Sequence, residues 1–157
     1  MRGRTHRPQP AGRQPNRRTM TAPGADDTMP DLDILKGRTG LIVEDNMIIA
    51  LDAEQLLLDN GMARILTAAN VAEALRLIET ETIDVALLDV NLGSETGFAL
   101  IAPLNARSVP YIFVTGYGEN LDLPPEAGAS EAINKPYDDV RMLEAVTRAF
   151  ARREAAA

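Results

Sequence analysis

The chain has 157 residues, 45% hydrophobic and 25% charged, with a net charge of −7, no cysteine and a single histidine, His6. That length suits one ordinary domain rather than two. Disulfides, thiolate metal sites and cysteine nucleophiles are excluded, and so are multi-histidine metal centres and histidine-based catalysis.

Charge is unevenly spread. Residues 1–30 carry six arginines against Asp26 and Asp27, a balance of +4, which leaves −11 on residues 31–157. The acidic part is a poor partner for nucleic acid, because phosphates attract basic surfaces. Residues 1–30 are rich in Pro, Gly and Arg and hold little to bury, so they read as a disordered leader. A transit-like peptide or a tail that binds nucleic acid through its phosphates are the other readings of that charge, and Met20 and Met29 offer later starts. No apolar run reaches the ~18 residues of a membrane span, and the N-terminus lacks the apolar stretch of a secretory signal. The expectation is a cytoplasmic protein with no membrane partner and no nucleic-acid partner.

Past the leader, apolar strands and amphipathic helices alternate. Thr39–Asp45, "TGLIVED", is a buried strand ending on two acids. The next segment repeats Ile49, Ala53, Leu56 and Leu57 at three- and four-residue steps and stops at Gly61, which predicts a helix. "ARILTA" predicts a short strand. Asn70 with Glu73 three residues on resembles a capping box, and Val71, Ala74, Leu75 and Ile78 line one face of the helix it opens. "IDVALLD" is the most apolar strand and ends on Asp89. "TGFALIAPLNAR" predicts a helix bent or shortened by Pro103. "VPYIFVT" and "SEAINK" predict two more strands. Between them, Pro124, Pro125 and three glycines allow one turn of helix or a loop. "YDDVRMLEAVTRAFARR" predicts a closing helix, with acids at its start and arginines at its end as the helix dipole favours.

Continuous apolar strands alternating with helices imply an α/β fold, a doubly wound five-stranded parallel sheet in the order 2-1-3-4-5. Ligands bind such sheets at the carboxyl ends of the strands, near the switch point between strands 1 and 3. Glu44 and Asp45 end strand 1 and Asp89 ends strand 3. Two carboxylates ~4 Å apart repel by about 4 kcal/mol at an effective dielectric of 20, so the cluster demands a cation. A few hard oxygen ligands with room for water and phosphate suit Mg²⁺. Strand 4 adds the hydroxyl of Thr115 and strand 5 the ammonium of Lys135. A nucleophilic carboxylate, a divalent ion, a small donor and a point cation are the equipment for moving a phosphoryl group onto an aspartate. Each residue alone has a plainer reading: a solvated turn, a helix cap, a β-branched strand end, a surface lysine. Their joint placement at four strand ends, in order, is the stronger signal.

"LIVEDN", "ALLDVNLG", "FVTGYG" and "NKPY" resemble the receiver domain of two-component response regulators, a flavodoxin-like fold, over residues 37–153. The resemblance leaves a leader at 1–30 and a tail at 154–157. It implies that Asp89 is the phosphoacceptor. Glu44, Asp45 and Asp89 would hold Mg²⁺, with the backbone carbonyl of Asn91 as a further ligand. Thr115 would hydrogen-bond the acyl phosphate, Lys135 would pair with it, and Pro136 would follow Lys135 through a cis peptide bond. A sensor histidine kinase would be the phosphodonor and a further protein the downstream partner. The usual aromatic three residues before the lysine is replaced by Ala132. "FVTGYG" instead is similar to the FAT GUY receivers, which lack that aromatic and have a weak fourth helix. A signalling role for Tyr117 or Phe113 stays open.

Other classes fit less well. A haloacid-dehalogenase-like phosphatase wants a second acid two residues after the nucleophile, where this chain has Asn91, and usually a cap domain. A dinucleotide-binding domain wants glycines where "VEDNM" has acids. The sequence therefore points to a stand-alone receiver, not an enzyme in the ordinary sense, that signals by protein contact or drains phosphate from a kinase. A pseudo-receiver that binds partners without phosphorylation is the alternative.

Overall fold

The computed structural model describes residues 31–116 and 122–156, with side chains through Arg153. The expected leader over 1–30 lies outside the described residues, and so does Tyr117. The described chain opens with a 3-10 turn, Leu32–Leu35, whose Leu35 is fully buried. The folded unit therefore begins ahead of the expected boundary at 37.

Five strands form one parallel sheet: β1 (Thr39–Val43), β2 (Arg64–Ala68), β3 (Val85–Asp89), β6 (Tyr111–Thr115) and β7 (Glu131–Asn134). Their order is β2-β1-β3-β6-β7, so the predicted doubly wound topology is the observed one. Two further strands, β4 (Asn91–Leu92) and β5 (Glu95–Thr96), make a small antiparallel hairpin just after β3. The sequence reading passed over it, because two-residue strands leave no periodicity to read.

The helices are α1 (Met47–Asp59), α2 (Val71–Thr80), α3 (Ile101–Ala106) and α4 (Asp139–Ala156). α4 runs past the expected domain edge at 153. Local chemistry places their starts. Asn46 Oδ1 accepts from the amides of Ile48 and Ile49. Asn70 Oδ1 accepts from the Glu73 amide, and Glu73 Oε2 reaches back to the Ala69 amide. Asp138 Oδ1 takes the Arg141 amide at 2.7 Å. Each cap satisfies backbone donors that the first helical turn leaves free. α3 follows a 3-10 turn at Gly97–Leu100, and Pro103 falls in its first turn, where no helical hydrogen bond is lost.

Strand side chains alternate between the faces of the sheet. Leu41, Val43, Leu88 and Phe113 face a core closed by α2 and α3. Ile42, Leu87, Val114 and Ile133 face a second core closed by α1, α4 and Leu35. The crossover from β6 to β7 contributes, among the described residues, one 3-10 turn at Pro125–Ala127. The expectation of a weak helix there holds for that part. The face of β7 beside it carries exposed Ala132 and Asn134.

Candidate functional site at the carboxyl edge of the sheet

Strands β1 and β3 are hydrogen-bonded neighbours, in register up to Val43 and Leu88. The next residues, Glu44 and Asp89, continue on the face that Ile42 and Leu87 share. Both carboxylates are buried, each residue 6% exposed. Asp45 turns outward at the start of the α1 cap and is exposed. One carboxylate oxygen from each of Glu44, Asp45 and Asp89 lies within 4.8 Å of the other two.

Lys135 is the counter-charge. Its Nζ donates to Glu44 Oε1 at 2.7 Å and to Asp89 Oδ2 at 3.0 Å. Its backbone amide donates to the Thr115 carbonyl at 2.8 Å, which ties the lysine to the end of β6. The Lys135–Pro136 peptide bond is cis. Burial works against the Lys135 charge, but hydrogen bonds and attraction from the two carboxylates outweigh it and hold its pKa above the usual value. Burial pushes the Glu44 carboxyl up to about 7, and the adjacent Asp89 adds to the push while Lys135 opposes it.

Asp89 is held from both sides. Its Oδ1 accepts the Asn91 amide at 3.0 Å, while Lys135 holds Oδ2. The hairpin after β3 turns at Gly93, with φ of +76°, and Asn91 Oδ1 accepts the Gly93 amide. The Asn91 contact seen at Asp89 is thus its amide. Gly97, after β5, packs so close that an added Cβ would run into the Asp89 backbone carbonyl. The sequence reading missed Gly97. Its only signal was a glycine opening the segment that follows the loop.

Thr115 stands at the end of β6, as expected, with its hydroxyl turned to β7. It ends β6 at 1% exposure, and its hydroxyl donates to Asn134 Oδ1 at 2.6 Å. The hydroxyl makes no hydrogen bond to Asp89 or to the Lys135 side chain. Strand alternation sets the starting geometry: Thr115 follows Phe113 and pairs with Asn134, whereas Asp89 pairs with Val114, so the hydroxyl has to turn at the strand end to reach Asp89. Asn134 is the second residue the sequence did not single out.

The donor set fits a magnesium ion. Glu44 Oε2 is buried and has no hydrogen-bond partner, a costly position unless a cation completes it. The ligand atoms on offer are carboxylate oxygens, the hard donors that Mg²⁺ takes.

A family model of the response regulator receiver domain matches residues 41–147. The chain belongs to that family. An uncharacterised response regulatory protein of Vibrio parahaemolyticus is 29% identical over 112 residues, spanning 70% of this chain and 46% of that protein. The sensory transduction protein LytR of Staphylococcus epidermidis is 32% identical over 111 residues, spanning 69% and 44%. The receiver thus spans about half the length of the curated relatives it matches. A CheY-like receiver domain protein from Methanospirillum hungatei matches with a TM-score of 0.66 and 28% identity, over 78% of this chain and all of that one. A response regulator from Burkholderia pseudomallei, solved with a phosphorylated aspartic acid, calcium and citrate, matches with a TM-score of 0.64 and 27% identity. It covers 76% of this receiver and 72% of its own chain.

Proposed function

We propose that this receiver takes a phosphoryl group from the phosphohistidine of a sensor histidine kinase onto Asp89. The observation that carries the reading is the buried carboxylate pair, Glu44 and Asp89, spanned by one lysine and left with an orphaned oxygen. The similar Burkholderia response regulator, solved with a phosphorylated aspartic acid and a calcium ion, supports the same chemistry.

Glu44, Asp45 and Asp89, with the Asn91 carbonyl, would hold Mg²⁺. When bound, the ion would neutralise the carboxylates and polarise the incoming phosphoryl oxygens. The rest falls to the chain itself. The Asn91 amide and Lys135 fix the orientation of the Asp89 carboxylate, so its attack needs little reorganisation. An Asp89 oxygen forms the new O–P bond as the N–P bond of the phosphohistidine breaks, and the imidazole keeps its electron pair. Lys135 remains beside the acyl phosphate, which carries roughly two negative charges. Thr115 is the donor that must turn to reach it. Water later attacks phosphorus and frees Asp89. This slow self-hydrolysis is the domain's own chemistry, and the receiver is not an enzyme acting on a free substrate.

Met47, Ile48 and Leu51 stand 74%, 73% and 56% exposed at the start of α1, beside the acidic edge. An apolar patch there suits a protein partner docking over Asp89. No helix among the described residues is long and apolar enough to cross a membrane. A receiver of the FAT GUY type, working by protein contact or as a phosphate sink, fits Ala132, the "FVTGYG" motif and the 3-10 turn that the described residues form before β7. The test is intact-mass measurement after incubation with a small acyl phosphate and Mg²⁺. The wild type should gain one phosphoryl group and Asp89→Asn none. Full labelling of Asp89→Asn would move the acceptor elsewhere.

A further inference from the structure

Thr115 and Asn134 occupy paired positions at the ends of β6 and β7. The Thr115 hydroxyl has one proton, and it goes to Asn134 Oδ1 at 2.6 Å; the Gly116 carbonyl lies farther off, at 3.4 Å. Ala132, two residues before Asn134, shares its face of β7, and both are exposed. Ala132, with only a methyl group, is too short to follow a movement of Thr115. Asn134 is already bonded to it.

We infer that Asn134 is a latch on Thr115: it holds the hydroxyl away from Asp89 until a phosphoryl group arrives, and its release carries the signal to the exposed face of β7. This rests on the reading of Asp89 as phosphoacceptor. A hydroxyl donates one hydrogen bond. It cannot serve Asn134 and a phosphoryl oxygen together, so the two contacts exclude each other. The acyl phosphate offers charged acceptors, which draw a stronger hydrogen bond than a neutral amide does. Thr115 therefore changes partner, and the Asn134 amide is left free on an open surface. The latch sets the phosphorylation threshold, because its bond must be broken for the active arrangement to form.

Two measurements test it. The first is the Thr115 side-chain rotamer, read from three-bond scalar couplings without any ligand. It should be single in the wild type and in Asn134→Asp, which keeps an acceptor, and averaged in Asn134→Ala. The second is affinity for beryllofluoride, a phosphoryl mimic, with Mg²⁺ present. Asn134→Ala should bind about fivefold tighter, the usual net worth of one neutral hydrogen bond. In a Thr115→Val background the same substitution should change nothing, since the latch acts only through that hydroxyl. Asn134 is exposed, so its alanine variant keeps the fold. An averaged rotamer in the wild type overturns the latch. So does an Asn134→Ala affinity within twofold of wild type, or an equal gain in the Thr115→Val background, and these leave the receiver reading standing. A wild type that binds no beryllofluoride overturns that reading, and the latch with it.

Discussion

Lys135→Met removes the cation at the centre of the site and keeps most of its apolar stem. In the wild type its Nζ lies 2.7 Å from Glu44 and 3.0 Å from Asp89, whose side chains are 4% and 7% exposed. At an effective dielectric of ~20, unit charges ~3 Å apart interact by about 5 kcal/mol before desolvation is counted. Breaking a buried pair by removing one partner typically costs about 3–5 kcal/mol. Protonation of Glu44 is the escape route, and its direction sets the pH dependence. The Glu44 pKa is raised to about 7 in the fold, so the native state binds the proton more tightly than the unfolded chain does. Stability from this group is therefore present at low pH and lost as pH rises towards 7. Without Lys135 the pKa climbs further, and the loss extends above pH 7. The metal-free variant should lose ~3 kcal/mol or more at pH 8 and less than half of that at pH 5.5. At about 4 °C per kcal/mol for a domain of this size, the melting temperature should fall by ~12 °C at pH 8. Thermal and urea unfolding in a chelator, at both pH values, read the difference, and Mg²⁺ should narrow the gap at pH 8. An equal loss at the two pH values, or a loss below about 1 kcal/mol at pH 8, would refute the claim that Lys135 neutralises the buried carboxylates.

The proposed Mg²⁺ site should carry its own pH signature. Mg²⁺ at ten times its dissociation constant should stabilise the wild type by about 1.4 kcal/mol, seen as a higher melting temperature. Its affinity should fall roughly tenfold per pH unit below about 7, as Glu44 takes up a proton, while titration calorimetry on Glu44→Gln should show a weaker and flatter dependence. Gly97→Ala should force the loop after β5 off the Asp89 carbonyl. It should cost about 2 kcal/mol or more and slow labelling by a small acyl phosphate, whereas Gly93→Asn, at an open turn with positive φ, should lose much less in both assays.

The fold was largely legible because its signals are local. Buried parallel strands are continuous apolar runs, and Asn46, Asn70 and Asp138 mark helix starts through hydrogen bonds to amides two or three residues on. The hairpin β4–β5 and the turn at Leu32–Leu35 were not legible, since each is shorter than any pattern that would announce it. Which polar residues gather at the carboxyl edge was readable too, from four strand ends. Gly97 was not, because what requires a glycine there is a backbone eight residues back along the chain, reached only after the loop folds.

The order of residues along the chain was enough to determine which side chains stand at the carboxyl edge, since apolar runs set where strands stop and alternating helices set the parallel topology. Tertiary structure decided how those side chains divide the work. Glu44 is buried and short of a partner while its neighbour Asp45 is exposed; Lys135 joins two strands whose acids lie 91 and 46 residues away from it; and the Thr115 hydroxyl faces Asn134 instead of Asp89. Those outcomes depend on strand register and on which sheet face each residue meets. Both are relations between distant segments, set by packing and by the cost of leaving buried charge unpaired.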